Sequence, residues 1–243
     1  MKLSLVLFLS FFSQCAFAEG GVGVKNGGSA ISCPPYGQTL KMLEVEEAFR
    51  EAQFQMPLAR IVNYQDRDVF FSYIFARLAA VGTKSSETLA IKLQQALRLH
   101  GPSTLWTPSP YHEVTILLED WGYADQARRV DYFHGTVLLK NGCTIIPVSY
   151  LTPLVVGAKH PLPPQVIPET YRHLDGFNRN VLELHEALYE ILITQSFELT
   201  VLPVRRLIRM MLSNLYTDAQ LGREIDNFVR SSWIRHPLPI EPN

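Results

Sequence analysis

Residues Asp175–Thr194 read DGFNRNVLELHEALYEILIT, and the fold turns on how this stretch is organised. At about 100° per residue, Val181, Leu182, His185, Leu188, Tyr189, Leu192 and Ile193 fall on one side. The spacing predicts a helix from about Asp175 to Thr194 with a broad apolar arc turned to a core. His185 points near the middle of that arc, and Glu186 lies at its edge beside Leu182 and Ile193. Arg179, Glu183 and Glu190 occupy the opposite, wetter face. A His and a Glu on a core side must both find partners, because an unpaired buried charge is very costly.

Three readings of this pair follow, one of them a binding pocket for a small polar ligand without catalysis. His-Glu on a helix is half of the zinc-protease pattern, in which His residues at i and i+4 bind metal and the intervening Glu activates water. Here Tyr189 stands at i+4, so the second imidazole is missing. In the chemical reading, His185 is the catalytic or metal-binding group, Glu186 the base, and Tyr189 an oxyanion donor or weak ligand, with zinc as the implied cofactor. In the structural reading no cofactor is needed. His185 then donates to a backbone carbonyl, and Glu186 pairs with a binding arginine, Arg205 or Arg206, from the next helix. That helix also carries Arg209.

Outward from this stretch the chain is mostly helical. Thr39 to about Phe54 carries Leu40, Leu43, Ala48 and Phe49 among charges. Asp66 or Asp68 caps a second helix with Phe70, Ile74, Leu78 and Val81 on one face. Ser85 or Ser86 caps a third, in which Leu89, Leu93, Ala96, Leu97 and His100 recur, and Gly101-Pro102 stops it. Pro203 opens a helix running through Tyr216, and Asp218 caps a last one bearing Leu221, Ile225 and Phe228. The clearest β signal is Thr136 to Leu151, where Asn141-Gly142 suits a type I′ hairpin turn. His112 to Glu119 fits strand or helix, and the five prolines between Pro153 and Pro168 mark a long connection. The sum is an α+β, mostly helical single domain with a small antiparallel β-hairpin or sheet.

The amino terminus sets the compartment. Lys2, an apolar run from Leu3 to Phe12, and Ala16-Phe17-Ala18 before Glu19 have the order of a secretory signal peptide over residues 1–18. The run is about half the ~20 residues that cross a bilayer. Cys15 invites a lipoprotein reading, but Gln14 stands where such a site wants a small residue. Residues 19–35 form a Gly-rich leader, Gly20-Gly21-Val22-Gly23 and Asn26-Gly27-Gly28, with a short strand from Ala30 to Cys33. Residues 36–243 then make the globular domain. Without a strand before them, these glycines lack the context of a phosphate loop; a backbone loop close to a ligand is the functional reading and a flexible leader the preferred one.

Once Cys15 leaves, Cys33 and Cys143 remain as a pair in an oxidising compartment. A disulfide between them closes a loop of about 110 residues and contributes roughly 4–5 kcal/mol in the chain-entropy model. Two separate buried thiols are the alternative. The 22 Lys+Arg against 23 Asp+Glu exclude the strongly basic footprint of a nucleic-acid binder. A hydrophobic share of 47% with 19% charged argues for a folded globule. No transmembrane segment is expected in the mature chain. His134, His160 and His236 sit beside glycine or proline in loops, and His173 precedes the long helix. No Gly-x-Ser-x-Gly elbow is present.

Lys25-Asn26-Gly27-Gly28 through Cys33, Gly142-Cys143-Thr144-Ile145 and Leu184-His185-Glu186-Ala187-Leu188-Tyr189 together carry a resemblance. In them the chain resembles a group of secreted proteins of predatory Gram-negative bacteria. The resemblance covers the two ends and the hairpin, and not Asn63 to Val130. It implies a periplasmic or extracellular location, a shared architecture, and a leader packed near His185. It implies no activity. The expectation is a secreted, non-catalytic structural or binding domain, the alternative being a degenerate metal-dependent hydrolase centred on His185 and Glu186. An envelope-interaction module would show aromatic patches, and Phe, Tyr and Trp are spread too evenly to mark one.

Overall fold

A computed structural model describes residues 25–26, 28–34, 40–55, 60–108, 126–131, 136–151, 163–196 and 201–233. Residues 1–18, expected to be a signal peptide, the glycines before Lys25, His112 to Glu119, His134, most of the proline-rich connection with His160, and His236 lie outside the described residues.

Nine strands and seven helices are present among them, in the order β1 (Lys25–Asn26), β2 (Ser29–Ser32), β3 (Lys41–Met42), α1 (Leu43–Gln55), α2 (Arg67–Val81), α3 (Lys84–His100), β4 (Thr107–Pro108), β5 (Ala127–Asp131), β6 (Thr136–Leu139), β7 (Thr144–Pro147), β8 (Ser149–Leu151), β9 (Gln165–Val166), α4 (Pro168–Tyr171), α5 (Gly176–Ser196), α6 (Leu202–Leu212) and α7 (Asp218–Trp233). A single 3-10 turn, Ser103–Leu105, follows α3. The domain is α+β and mostly helical, as the sequence predicts.

Helix α5 is its axis. From Phe177 to Leu192 every residue except Arg179 is buried, because α2, α3, α6, α7 and β3 pack around it. A helix enclosed on all sides cannot sort its residues into wet and dry faces. Glu183 and Glu190, expected on a solvated face, are therefore interior, at 2% and 6% exposure. The start of α5 is fixed locally. Asp175 Oδ1 accepts from Asn178 N at 2.8 Å, and Gln65 Oε1 accepts from Phe177 N at 3.0 Å. A Cβ on Gly176 would meet the Gln65 carbonyl oxygen at 2.7 Å, so only glycine lets the two backbones approach.

The main sheet has the order β3-β2-β7-β6-β5, antiparallel throughout. A second sheet, β1-β8-β9-β4, is antiparallel except where β4 pairs parallel to β9. The leader's end is thus structural: β2 lies between β3 and β7, with Ser29 opposite Pro147 and Ser32 opposite Thr144. The two strands end on Cys33 and begin after Cys143, whose sulfurs lie 2.09 Å apart, at disulfide distance. One continuous buried core runs from Ala30 and Ile145 in the sheet to Phe70, Leu188, Ile208 and Phe228 in the helices. No helix among the described residues is long and apolar enough to cross a membrane.

Several boundaries differ from the sequence expectation, each through a tertiary or capping partner. Helix α1 begins at Leu43 rather than Thr39, because Lys41 and Met42 are extended against Ile31 and Ala30 and Met42 N donates to Asn178 Oδ1 at 2.7 Å. Asp66 caps α2 as expected. Thr83, not Ser85 or Ser86, caps α3, with Ser86 in the reciprocal position of a capping box. Helix α6 stops at Leu212, where Ser213 turns extended to bridge Ile61. Asp218 is the first residue of α7; the cap is Thr217, which exchanges hydrogen bonds with Gln220. In the hairpin, Leu139 N bonds Cys143 O and Gly142 N bonds Leu139 O. The connection is therefore Lys140-Asn141-Gly142, with Gly142 at φ 83°, rather than a two-residue type I′ turn.

Candidate functional site

Three segments, α1, β8 and the end of the leader, converge on the middle of α5. His185 Nδ1 lies 2.5 Å from Oε1 of Glu44, in the first turn of α1, and both side chains are 1% exposed. Glu186 points to the other side. Its Oε1 accepts from Gly28 N at 2.6 Å and from the Ser149 hydroxyl, which also accepts from Gly28 N at 2.8 Å. Gly28 in turn accepts from Val148 N and Ser149 N, so the leader's last glycine is pinned between β8 and α5. A Cβ there would sit 2.2 Å from Leu182 Cδ1 and 2.7 Å from Met42 Cε. Gly28 thereby brings the end of the leader against α5 beside Glu186. The Tyr189 ring lies 6.2 Å from the His185 ring, tilted by 51°.

The electrostatics follow from burial. Desolvation alone would lower the His185 pKa, but the charge and hydrogen bond of Glu44 outweigh it and hold the imidazole above its ordinary value. Burial would likewise raise Glu44, yet His185 and then Arg205 bring it below the usual carboxylate range. The two form an ion pair. Glu186 goes the other way: burial raises it, and His185, Ser149 and Gly28 offset only part. Its carboxyl therefore holds a proton to higher pH than an ordinary glutamate. His185 Nε2, Glu44 Oε2 and Glu186 Oε2 have no hydrogen-bond partner.

The flanks of α5 are closed in the same way. Glu183 takes Arg67 in a two-pronged contact, Nε to Oε1 at 2.9 Å and Nη2 to Oε1 at 2.5 Å, with Ser103 N at 3.3 Å from Oε2. Glu190 pairs with His100 at the end of α3. His173 is exposed in the turn after α4.

The arginines are not where the structural reading put them. Arg205 pairs with Glu47, Arg209 Nη1 with Glu51 at 2.8 Å, and Arg206 with Glu224 at 3.1 Å. None reaches Glu186. The reason is the packing of α6 against α1 and α7, which faces Arg205 and Arg209 to the Glu47/Glu51 row and Arg206 to α7. His185 meets a carboxylate where a backbone carbonyl was expected. Sequence reasoning missed Glu44, Ser149 and Gly28 as partners. One signal was present: Glu47 and Glu51 on α1, and Arg205 and Arg209 on α6, are rows of opposite charge at i, i+4 spacing.

Chemically, the arrangement joins an imidazolium–carboxylate pair to a serine–carboxyl pair through adjacent residues of one helix, with Glu44, Ser149, His185 and Glu186 all 1% exposed or less. Among the described residues no three His, Cys, Asp or Glu side chains stand where they could hold a metal ion. No family model matches the chain, and neither a curated protein nor a solved structure does.

Proposed function

We propose that this chain is an exported, non-catalytic structural or binding domain, and that His185, Glu186 and Tyr189 are core packing groups rather than reactive ones. The observation that supports this reading is enclosure. Glu183, His185, Glu186 and Glu190 are buried and each is met by a side chain from another element of the same chain, and a general base or nucleophile must reach substrate within about 3 Å. Export is supported by the signal-like first eighteen residues and by the Cys33–Cys143 pair at disulfide distance.

The test is His185→Ala, read by metal analysis and thermal melting of the purified chain. Removing the imidazole leaves Glu44 buried without its counter-charge, so the melting temperature should fall by roughly 10 °C while zinc content is the same, near zero, before and after. Stoichiometric zinc that disappears with His185, at an unchanged melting temperature, would instead establish the metal-dependent hydrolase.

A further inference from the structure

The Cys33–Cys143 bridge does not stand in apolar surroundings. Arg50, on the third turn of α1, places Nη2 3.8 Å from Sγ of Cys33 and 3.8 Å from Sγ of Cys143. The guanidinium is held there by Glu46, whose Oε1 accepts from Arg50 Nε at 3.0 Å. Glu46 also takes Lys41 Nζ at 3.4 Å, and the charge in contact with the sulfurs is the Arg50 guanidinium. The two sulfurs are unequal. Cys143 is 4% exposed, whereas Cys33 is half-buried, next to exposed Pro34 and an Arg50 side chain that is 32% exposed. A structural bridge gains nothing from a guanidinium aimed at both its sulfurs; a thiolate does, since a neighbouring cation stabilises the ionised form.

From this asymmetry we propose that the Cys33–Cys143 disulfide is a thiol-exchange site for a small thiol, attacked at Cys33, with Arg50 holding Cys143 as the departing thiolate. In the first step the sulfur of an external thiolate bonds to Cys33 Sγ. The Cys33–Cys143 bond breaks, and its electron pair leaves on Cys143 Sγ beside Arg50 Nη2. No proton moves in this step. A second external thiolate then attacks the mixed disulfide at the external sulfur, releasing Cys33 as thiolate and carrying away the oxidised thiol. The two electrons that reduce the pair come from the two external thiols. A lower pKa in the leaving thiol speeds such exchange. The inference does not depend on the role assigned to His185.

The experiment uses the full chain carrying Cys15→Ser, so that only these two sulfurs report, with and without Arg50→Gln or Arg50→Lys. Oxidised protein is mixed with reduced glutathione, quenched in acid at intervals, alkylated and mapped by mass. Glutathione should appear on Cys33 and the alkyl group on Cys143. Arg50→Gln should slow the reaction about tenfold and Arg50→Lys less. In a Cys33→Ser background, the Cys143 thiolate absorbance should titrate about one pH unit lower with arginine than with glutamine, a tenfold difference in ionisation. All variants must react alike in urea, which separates the local effect of Arg50 from a change in folding. An equal rate for Arg50→Gln under native conditions, or glutathione found on Cys143, overturns the proposal.

Discussion

Glu44 and Glu47 sit less than one helical turn apart on α1, yet they meet different physics. Glu44 faces inward to His185, with both side chains 1% exposed. Glu47 faces the seam with α6, where it is 13% exposed and pairs with Arg205 at 5%, while the neighbouring Arg209 of that seam is 25% exposed. Further out, Arg206 is 62% exposed as it meets Glu224. Each contact joins a glutamate to a cationic side chain, in graded surroundings, and the gradation governs what each contact does. In the interior the cost of stripping water from two ions is of the same order as their attraction, so the pair contributes little as a pair. Deleting one member, however, is severe. At the surface water substitutes for a lost partner, and deletion is mild. The buried pairs, Arg205–Glu47 included, therefore fix how α1 meets α5 and α6, while the outermost Arg206–Glu224 contact merely accompanies the packing.

The sharpest way to break this comparison is Glu44→Ala. It should destabilise the domain by about 3–5 kcal/mol, because a buried imidazolium loses its counter-charge. Replacing both partners by leucine (Glu44→Leu with His185→Leu) should recover most of that loss. Urea midpoints for the two single variants and the double variant measure the coupling. If the double variant is no better than Glu44→Ala, the cost is one of shape and the electrostatic account fails.

Proton linkage sharpens the same contrast without changing a residue. His185 is raised in the folded state, so its contribution is fully present below its ordinary value of 6.5. That contribution is lost as pH rises through the folded value. Glu186 is raised from 4.5, so the folded chain keeps a proton that the unfolded chain releases. This too makes stability fall as pH rises above 4.5, until Glu186 itself ionises. Glu44, lowered from 4.5, acts in the opposite sense and withdraws support only as acid protonates it. Stability by urea titration should therefore decline above pH 6.5, with a slope of up to about 1.4 kcal/mol per pH unit for each proton retained. In the Glu44→Leu, His185→Leu chain that decline should flatten.

How far the sequence carried these conclusions depends on the range of the interaction. Local signals were read well. The spacing of Val181, Leu188 and Leu192, the Asp66 cap and the Gly101 stop depend on neighbours within a turn. The cysteine pair was legible because elimination left two sulfurs. Errors arose where a distant segment intervened. Met42 is extended because Asn178 takes its N–H. Glu183 and Glu190 are interior because Arg67 and His100 arrive from α2 and α3. A helical wheel shows which residues share a face, but an enclosed helix has no outer face for polar residues to declare. Glu186 was correctly expected to need a partner. The donors it found, Gly28 N and Ser149 Oγ, lie 158 and 37 residues away, and one of them is backbone, which no side-chain pattern records.

The smallest effect belongs to the outermost contact. Arg206→Ala removes the 3.1 Å contact with Glu224 from a site where the guanidinium is mostly in water. Its worth is about 0–1 kcal/mol, and screening by salt diminishes it further. The melting temperature should drop by no more than about 3 °C at low ionic strength, with the difference vanishing at about 1 M salt. Glu44→Ala should keep most of its effect at the same salt, because a pair enclosed by α1 and α5 is hardly screened. If both variants lose their effects together, the interior pair is wetter than its 1% exposure implies, and the distinction between core and rim that separates the two regions falls with it.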